Sequence, residues 1–226
     1  TVTLAATLAE AKTLLKQSPW ESIAFLKSAL ERGALRRGEA RARVMNEVAD
    51  AYRFAKDFGA ARKWRRRALA LQTKELGRVL SSSTSAKRRT AIKAVLERTL
   101  TQSSLATDMT MGGQSSRALK LVQDALRQPG LPTAAAAVLA RAESAVHECT
   151  GDAVSALLRF EEATKASAAS GPLSVPPSAS DAIHLVGLLR RVLRGASPPP
   201  HVARAMAQRA DALAVQLVRD GEWEAT

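Results

Sequence analysis

Two runs of positive charge hold the residues best placed to do chemistry. Arg62, Lys63, Arg65, Arg66 and Arg67 share one short stretch, and Lys87, Arg88, Arg89 and Lys93 form a second group. On a helix Arg62 and Arg66 are i,i+4 neighbours, as are Lys63 and Arg67, and like charges at that spacing repel by about 0.3 kcal/mol per pair. An anionic partner relieves that repulsion. The second group opens a predicted helix, where positive charge opposes the macrodipole, so an external anion compensates there too. Lys and Arg meet backbone phosphates more often than base edges. Arg62, Lys63, Arg66, Arg67, Lys87, Arg88, Arg89 and Lys93 are therefore the candidate nucleic-acid-binding residues. The plainer alternative is a solvated face paired with Asp57, Glu75 or Glu97. Arg190, Arg191 and Arg194 end a predicted helix, where positive charge suits the dipole.

The remaining reactive side chains do not converge. His147, His184 and His201 fall in separate predicted helices, with no His pair or Cys-His cluster at zinc-ligand spacing. His147 and Cys149, two residues apart, point in different directions on a helix. Carboxylates such as Glu161 and Glu162 lie on a polar face, whereas general acid–base work needs them gathered in a pocket. Gly112-Gly113 lacks the flanking residues of a phosphate loop and reads as a helix stop. The sequence thus predicts no catalysis, no cofactor, no metal site and no small-molecule substrate.

Composition sets the wider frame. The chain of 226 residues has 34 Lys and Arg against 21 Asp and Glu, a net charge of +13, and a pI near 10.8. Such a balance attracts polyanions. The single cysteine, Cys149, excludes an internal disulfide framework. No apolar run approaches the roughly 18 residues of a membrane span. The chain begins at Thr1, so any targeting peptide is expected upstream. Together with the basic balance this gives a mitochondrial expectation, with the cytoplasm as alternative.

These residues must be positioned by helices. Leu4, Leu8, Ala11 and Leu15 recur at helical spacing until Ser18-Pro19, and Trp20, Ile23, Leu26, Ala29 and Leu30 line the next helix. Further helices are predicted over about 38–55, 60–76, 86–109, 117–127, 133–149 with Thr133 as cap, 153–168, 181–194 with Asp181 as cap, and 201–219. Residues 81–85 and 170–180 read as loops, and Pro198 to Pro200 as a break. No segment keeps a period of two. With 4% aromatics and abundant alanine, the fold class is all-α with closely approaching helices.

The helices repeat. Ser22, Leu26 and Ala29; Ala61, Arg65 and Ala68; Ala118, Val122 and Ala125; and Ala156, Phe160 and Ala163 share one spacing, a small residue, a larger one four on, and alanine three further. The stretch 42–72 adds Met45, Val48, Ala49 and Tyr52 on a preceding helix and Asp57-Phe58 at the turn. Thr150-Gly151-Asp152 matches that turn before Ala156, and the helix before it fits with a one-residue slip, through Ala142 and Val146. This pattern resembles a tetratricopeptide repeat (TPR), over about two thirds of the chain. Arg65 departs from it, and Trp64 beside it is assigned the packing role. The resemblance implies an irregular α-solenoid of antiparallel hairpins over 1–169, with an insertion near 73–101, a Pro/Ser-rich loop at 170–180 and a C-terminal helical pair over 181–226. Three helices per unit, or a pentatricopeptide array reading single-stranded RNA, are alternatives.

The resemblance also implies protein binding. Some TPR domains grip a C-terminal carboxylate through an Asn, but here Asn46 is displaced by one position and Glu47 stands in its place. The expected function is a non-catalytic scaffold subunit of a ribonucleoprotein such as an organellar ribosome. It would bind neighbouring protein subunits through its helices and RNA phosphates through its basic faces. A protein adaptor with no RNA contact is the first alternative, and a helical enzyme with an unseen site the second.

Overall fold

The computed structural model describes residues 3–32, 38–81, 85–168, 179–196 and 198–219. They form ten helices and, among them, no strand: α1 (Leu4–Gln17), α2 (Pro19–Glu31), α3 (Gly38–Phe54), α4 (Phe58–Leu80), α5 (Ser85–Met111), α6 (Ser115–Leu126), α7 (Thr133–Cys149), α8 (Ala153–Ala168), α9 (Ala179–Gly195) and α10 (Pro200–Arg219). Neighbours in sequence pack against each other, giving hairpins α1/α2, α3/α4, α5/α6, α7/α8 and α9/α10 stacked in chain order. The loop expected at 170–180 falls mostly outside the described residues, as do residues 82–84 of the serine-rich stretch.

Local chemistry sets the helix starts. Thr3 and Ser18 accept N-cap bonds from Ala6 N and Glu21 N, and Pro19 occupies the first turn of α2, where its missing N–H costs nothing. Asp57 Oδ1 accepts from Ala60 N at 2.9 Å, and Asp152 Oδ1 from Ser155 N at 3.0 Å. In three hairpins the residue before the second helix or its cap is left-handed: Lys56 at φ 60°, Gly113 at 74° and Gly151 at 81°. Glycine takes that conformation at no steric cost, whereas Lys56 bears about 1 kcal/mol of strain. Two expected caps differ. Pro132, not Thr133, precedes α7, with no side-chain cap bond. Asp181 lies inside α9 and its carboxylate pairs with Arg141 of α7 at 3.1 Å.

The hairpins close through small residues. Ala11 and Ser22, Ala49 and Ala61, Ala106 and Ala118, and Ser144 and Ala156 are all buried, one pair in each of the first four hairpins, and the second to fourth pairs share one spacing. In the first, Ser22 Oγ donates to the Ala11 carbonyl at 2.9 Å; in the fourth, Ser144 Oγ donates to the Ala156 carbonyl at 2.7 Å. The register therefore needs no slip in the fourth hairpin. There Glu143 occupies the place of Val48, and a buried carboxylate hid the pattern. Of the repeated second-helix triplets, all are buried except half-buried Ala29. Arg65 is itself buried, while Trp64 is only partly so. The step from Ala61 to Ala118 is longer than its neighbours, and residues 73–101 fall in the last turns of α4, the first turns of α5 and the link between them.

Candidate functional site

The extra turns of α4 and α5 deepen one cleft. Its volume is about 450 Å³, and it is lined by Leu8 of α1, by Arg43, Asn46, Glu47 and Asp50 of α3, by Arg65 and Gln72 of α4, and by Glu97, Leu100, Thr101 and Ser104 of α5. The polar residues of α3 recur at three- and four-residue steps, so one face of that helix floors the cleft.

Ion pairs and hydrogen bonds join its walls. Arg43 bonds Glu97 across the cleft and lies 3.2 Å from Glu39. The Glu97 contact holds the guanidinium above its usual range against the opposing effect of burial. Asn46 Nδ2 donates to Thr101 Oγ1 at 2.9 Å, and Thr101 Oγ1 donates to the Glu97 carbonyl at 3.1 Å. Gln72 Nε2 donates to the same carbonyl at 3.4 Å. At the cleft's base Arg65, 2% exposed, bonds Asp50 and stands 3.5 Å from Asp108, which is fully buried. Arg53 also bonds Asp108 and donates to the Ser104 carbonyl at 3.1 Å.

Glu47 is different. No hydrogen bond or ion pair holds it among the described residues. Burial raises its pKa above the usual carboxylate value, neighbouring Asp50 raises it further, and Lys12 and Arg65 pull the other way. A carboxylate whose pKa is raised on folding gains protons relative to the unfolded chain, so stability falls as pH rises above the ordinary carboxylate value and a penalty stands at pH 7. Glu47→Gln is therefore expected to raise the melting temperature at pH 7. The difference should vanish below the ordinary value near 4.5, where both states are protonated. Thermal melts of both proteins across pH check this.

The predicted nucleic-acid residues separate. Lys63 and Arg66 are exposed, and Arg67 is exposed with its guanidinium 4.9 Å from the Trp64 ring. Arg62 is half-buried, its Nη1 packed against Gly112 at the C-terminal end of α5, where the helix dipole favours a cation. Arg89 is exposed. Lys93 is exposed but engaged, 3.2 Å from Glu39 and 4.0 Å from Glu97. The side chains of Lys87 and Arg88 lie outside the described residues. Arg191 bonds Glu148 instead of standing free at its helix end.

The histidines are each occupied locally or open to solvent. His147 Nδ1 lies 3.4 Å from Asp152, His184 Nε2 lies 3.3 Å from Glu148 with its ring 4.8 Å from Phe160, and His201 is exposed. Among the described residues no group of His, Cys, Asp or Glu is arranged to hold a metal, and no helix is long and apolar enough to cross a membrane.

Solved structures share this architecture. A putative kinesin light chain of Podosopora anserina with nearly identical TPR-like repeats superposes with a TM-score of 0.58 at 14% identity, covering 94% of this chain and 95% of that one. BtubC (BKLC) from P. vanneervenii does so with a TM-score of 0.57 at 16% identity, covering 99% and 91%. The fold is a TPR-like helical solenoid. No protein-family model matches the sequence, and no curated protein matches it. In this TPR-like frame α1, α3, α5, α7 and α9 are the first helices of the hairpins, and the cleft lies where the first three meet α4.

Missed in the sequence were Asp50, Asp108 and Gln72, whereas Glu97, expected as a partner of the basic clusters, does face Lys93 at 4.0 Å. The one available signal was Arg65 itself, since a guanidinium at a core position demands a carboxylate.

Proposed function

We propose that the chain is a non-catalytic scaffold that takes an extended segment of a partner protein into the cleft between α1, α3, α4 and α5. The observation that carries this is the cleft's wall. It combines exposed Leu100, 53% accessible, with polar atoms that have no partner among the described residues. Apolar anchoring with a few fixed polar groups is the usual make-up of a recognition site. TPR-like solenoids typically serve as interaction scaffolds, which supports the same reading. Leu100→Trp fills the cleft without touching the core. Partner proteins co-purified after nuclease treatment should fall at least tenfold, a loss of about 1.4 kcal/mol, with the melting temperature unchanged. Undiminished recovery would rule the cleft out.

One observation favours a second, compatible reading. Lys63, Arg66 and Arg67 form an exposed patch with no carboxylate within ion-pair distance among the described residues. With the net charge of +13, this supports contact with RNA phosphates, as in a subunit of a ribonucleoprotein such as a mitochondrial ribosome. Filter binding of single-stranded RNA should then weaken with salt at a logarithmic slope of about −2 for three phosphate contacts. Lys63→Glu with Arg66→Glu and Arg67→Glu should flatten it. Binding indifferent to salt removes this reading.

A further inference from the structure

The cleft's hydrogen-bonding inventory is one-sided. Its donors are mostly spent within the protein; Arg65 Nε, without a hydrogen bond, faces Asp108 Oδ2 at 3.5 Å. Arg43 is bonded to Glu97 and faces Glu39, and Arg65 is held by Asp50 and Asp108. The amide groups of Asn46 and Gln72 and the Thr101 hydroxyl are each committed to an oxygen of α5. The Glu97 and Asp50 carboxylates are likewise taken, by Arg43 and Arg65, but other acceptors are not. Asn46 Oδ1 and Gln72 Oε1 are buried and without a partner among the described residues, and Gln72 as a whole is only 8% exposed. The Glu47 carboxylate has no hydrogen bond or ion pair among the described residues. The lining carries three carboxylates, Glu47, Asp50 and Glu97, against two guanidinium groups, Arg43 and Arg65. This acidic spot sits in a chain of net charge +13.

We propose that the cleft receives a lysine or arginine side chain of the bound segment, with Glu47 as its counter-ion and Asn46 Oδ1 and Gln72 Oε1 as its acceptors. This rests on the cleft being the protein-binding site and names its ligand class. Buried acceptors left without donors carry an unrepaid desolvation cost, and a ligand bringing N–H groups recovers it. An ammonium or guanidinium brings several donors, and its charge answers Glu47. Its aliphatic stem fits beside Leu8 and Leu100. A peptide carboxylate finds the opposite, because Arg43 and Arg65 already hold carboxylates and the Asn46 and Gln72 amides are bonded to α5. The other charged groups facing Glu47 are Lys12 on α1, Asp50 on its own helix and Arg65 on α4. Lys12 is exposed and lies within reach of Glu47's field without pairing, so the incoming cation is not displaced by a formed salt bridge.

Affinity selection of a displayed random octapeptide library on the full chain tests this. The chain's own positive charge disfavours basic peptides elsewhere on its surface, so background works against the expected result. Selected peptides should share a lysine or arginine at one position. Their binding should fall at least tenfold when that residue is acetylated (for lysine) or replaced by glutamine, and tenfold with Glu47→Gln. It should also fade as pH drops, earlier than for a surface glutamate. Leu100→Trp should abolish it. Acidic peptides blocked by Leu100→Trp would overturn this inference and leave the cleft as the binding site. Peptides indifferent to Leu100→Trp would overturn both. No enrichment would overturn the inference, while the co-purification test decides the cleft separately. Glu47→Gln keeps the side chain's shape, and unchanged helical content after that substitution excludes misfolding as the cause.

Discussion

Asp108→Ala is expected to destabilise the chain by about 3–5 kcal/mol, a large share of the roughly 5–15 kcal/mol that holds a domain together. Asp108 is fully buried in α5 and takes Arg53 of α3 and Arg65 of α4. Removing it strands two guanidinium groups unequally. Arg53 is partly exposed and regains water, and Asp50 lies 3.5 Å away. Arg65 is 2% exposed and keeps Asp50 alone. The cost is therefore mainly that of a buried cation half-paired, not of a lost contact. A second substitution separates the two. Asp108→Ala with Arg65→Met removes the stranded charge and should be more stable than Asp108→Ala alone, since apolar replacement of a whole buried pair is often neutral. Urea unfolding at pH 7 measures both. A cost under about 1 kcal/mol for the single change would show that the network does not join α3, α4 and α5.

The same network shows where sequence reading stops. Ala61, Ala68, Ala118, Ala125, Ala156 and Ala163 announce the hairpins because a closely packed helix crossing admits few residue types, and their spacing is local. The turn signals are local too, since Asp57 and Asp152 cap the helices they immediately precede. Arg65 breaks the pattern, and its solution lies on two other helices. Asp108 reads as one more polar residue of a long helix until α5 is laid against α3. Glu143 misled in the same way. Buried between Gln123, 2.9 Å away on α6, and Arg159, 3.1 Å away on α8, it looks in sequence like a surface acid. Reading the fourth hairpin by apolar residues then shifts the register, although Ser144 stands in it.

The cleft was less legible still. Neighbouring Asn46 and Glu47 drew attention as a displaced carboxylate clamp. Their roles depend on which atoms the fold consumes, and that is a three-dimensional fact. Asn46 spends its N–H on Thr101 and keeps its oxygen, so the site presents acceptors where a clamp needs donors. Charge counting had a similar limit. The candidate cations form one class in sequence, yet Lys63 is open to solvent, Lys93 sits between two carboxylates and Arg62 is folded onto a helix end. Sequence gives the sign of a surface, while neighbours decide which charges remain available.

Ala61→Leu is the second large effect, expected to cost about 3 kcal/mol, the upper end for overpacking a core. Ala61 and Ala49 are both fully buried where α3 crosses α4, so three added carbons find no void. Relief requires parting the two helices. That strains contacts on either side, because Arg65 lies one turn along and is tied to Asp50 and, through Asp108, to α5. Ala70→Leu is the matched control, the same change on an exposed position of the same helix, expected within about 0.5 kcal/mol of the parent. In a stacked array each unit leans on its neighbours, so damage should be greatest in α3 and α4. Amide exchange should accelerate there first and least in α9. Equal destabilisation by both substitutions, or exchange that rises uniformly along the chain, would mean that the alanine crossings do not set the spacing of the hairpins.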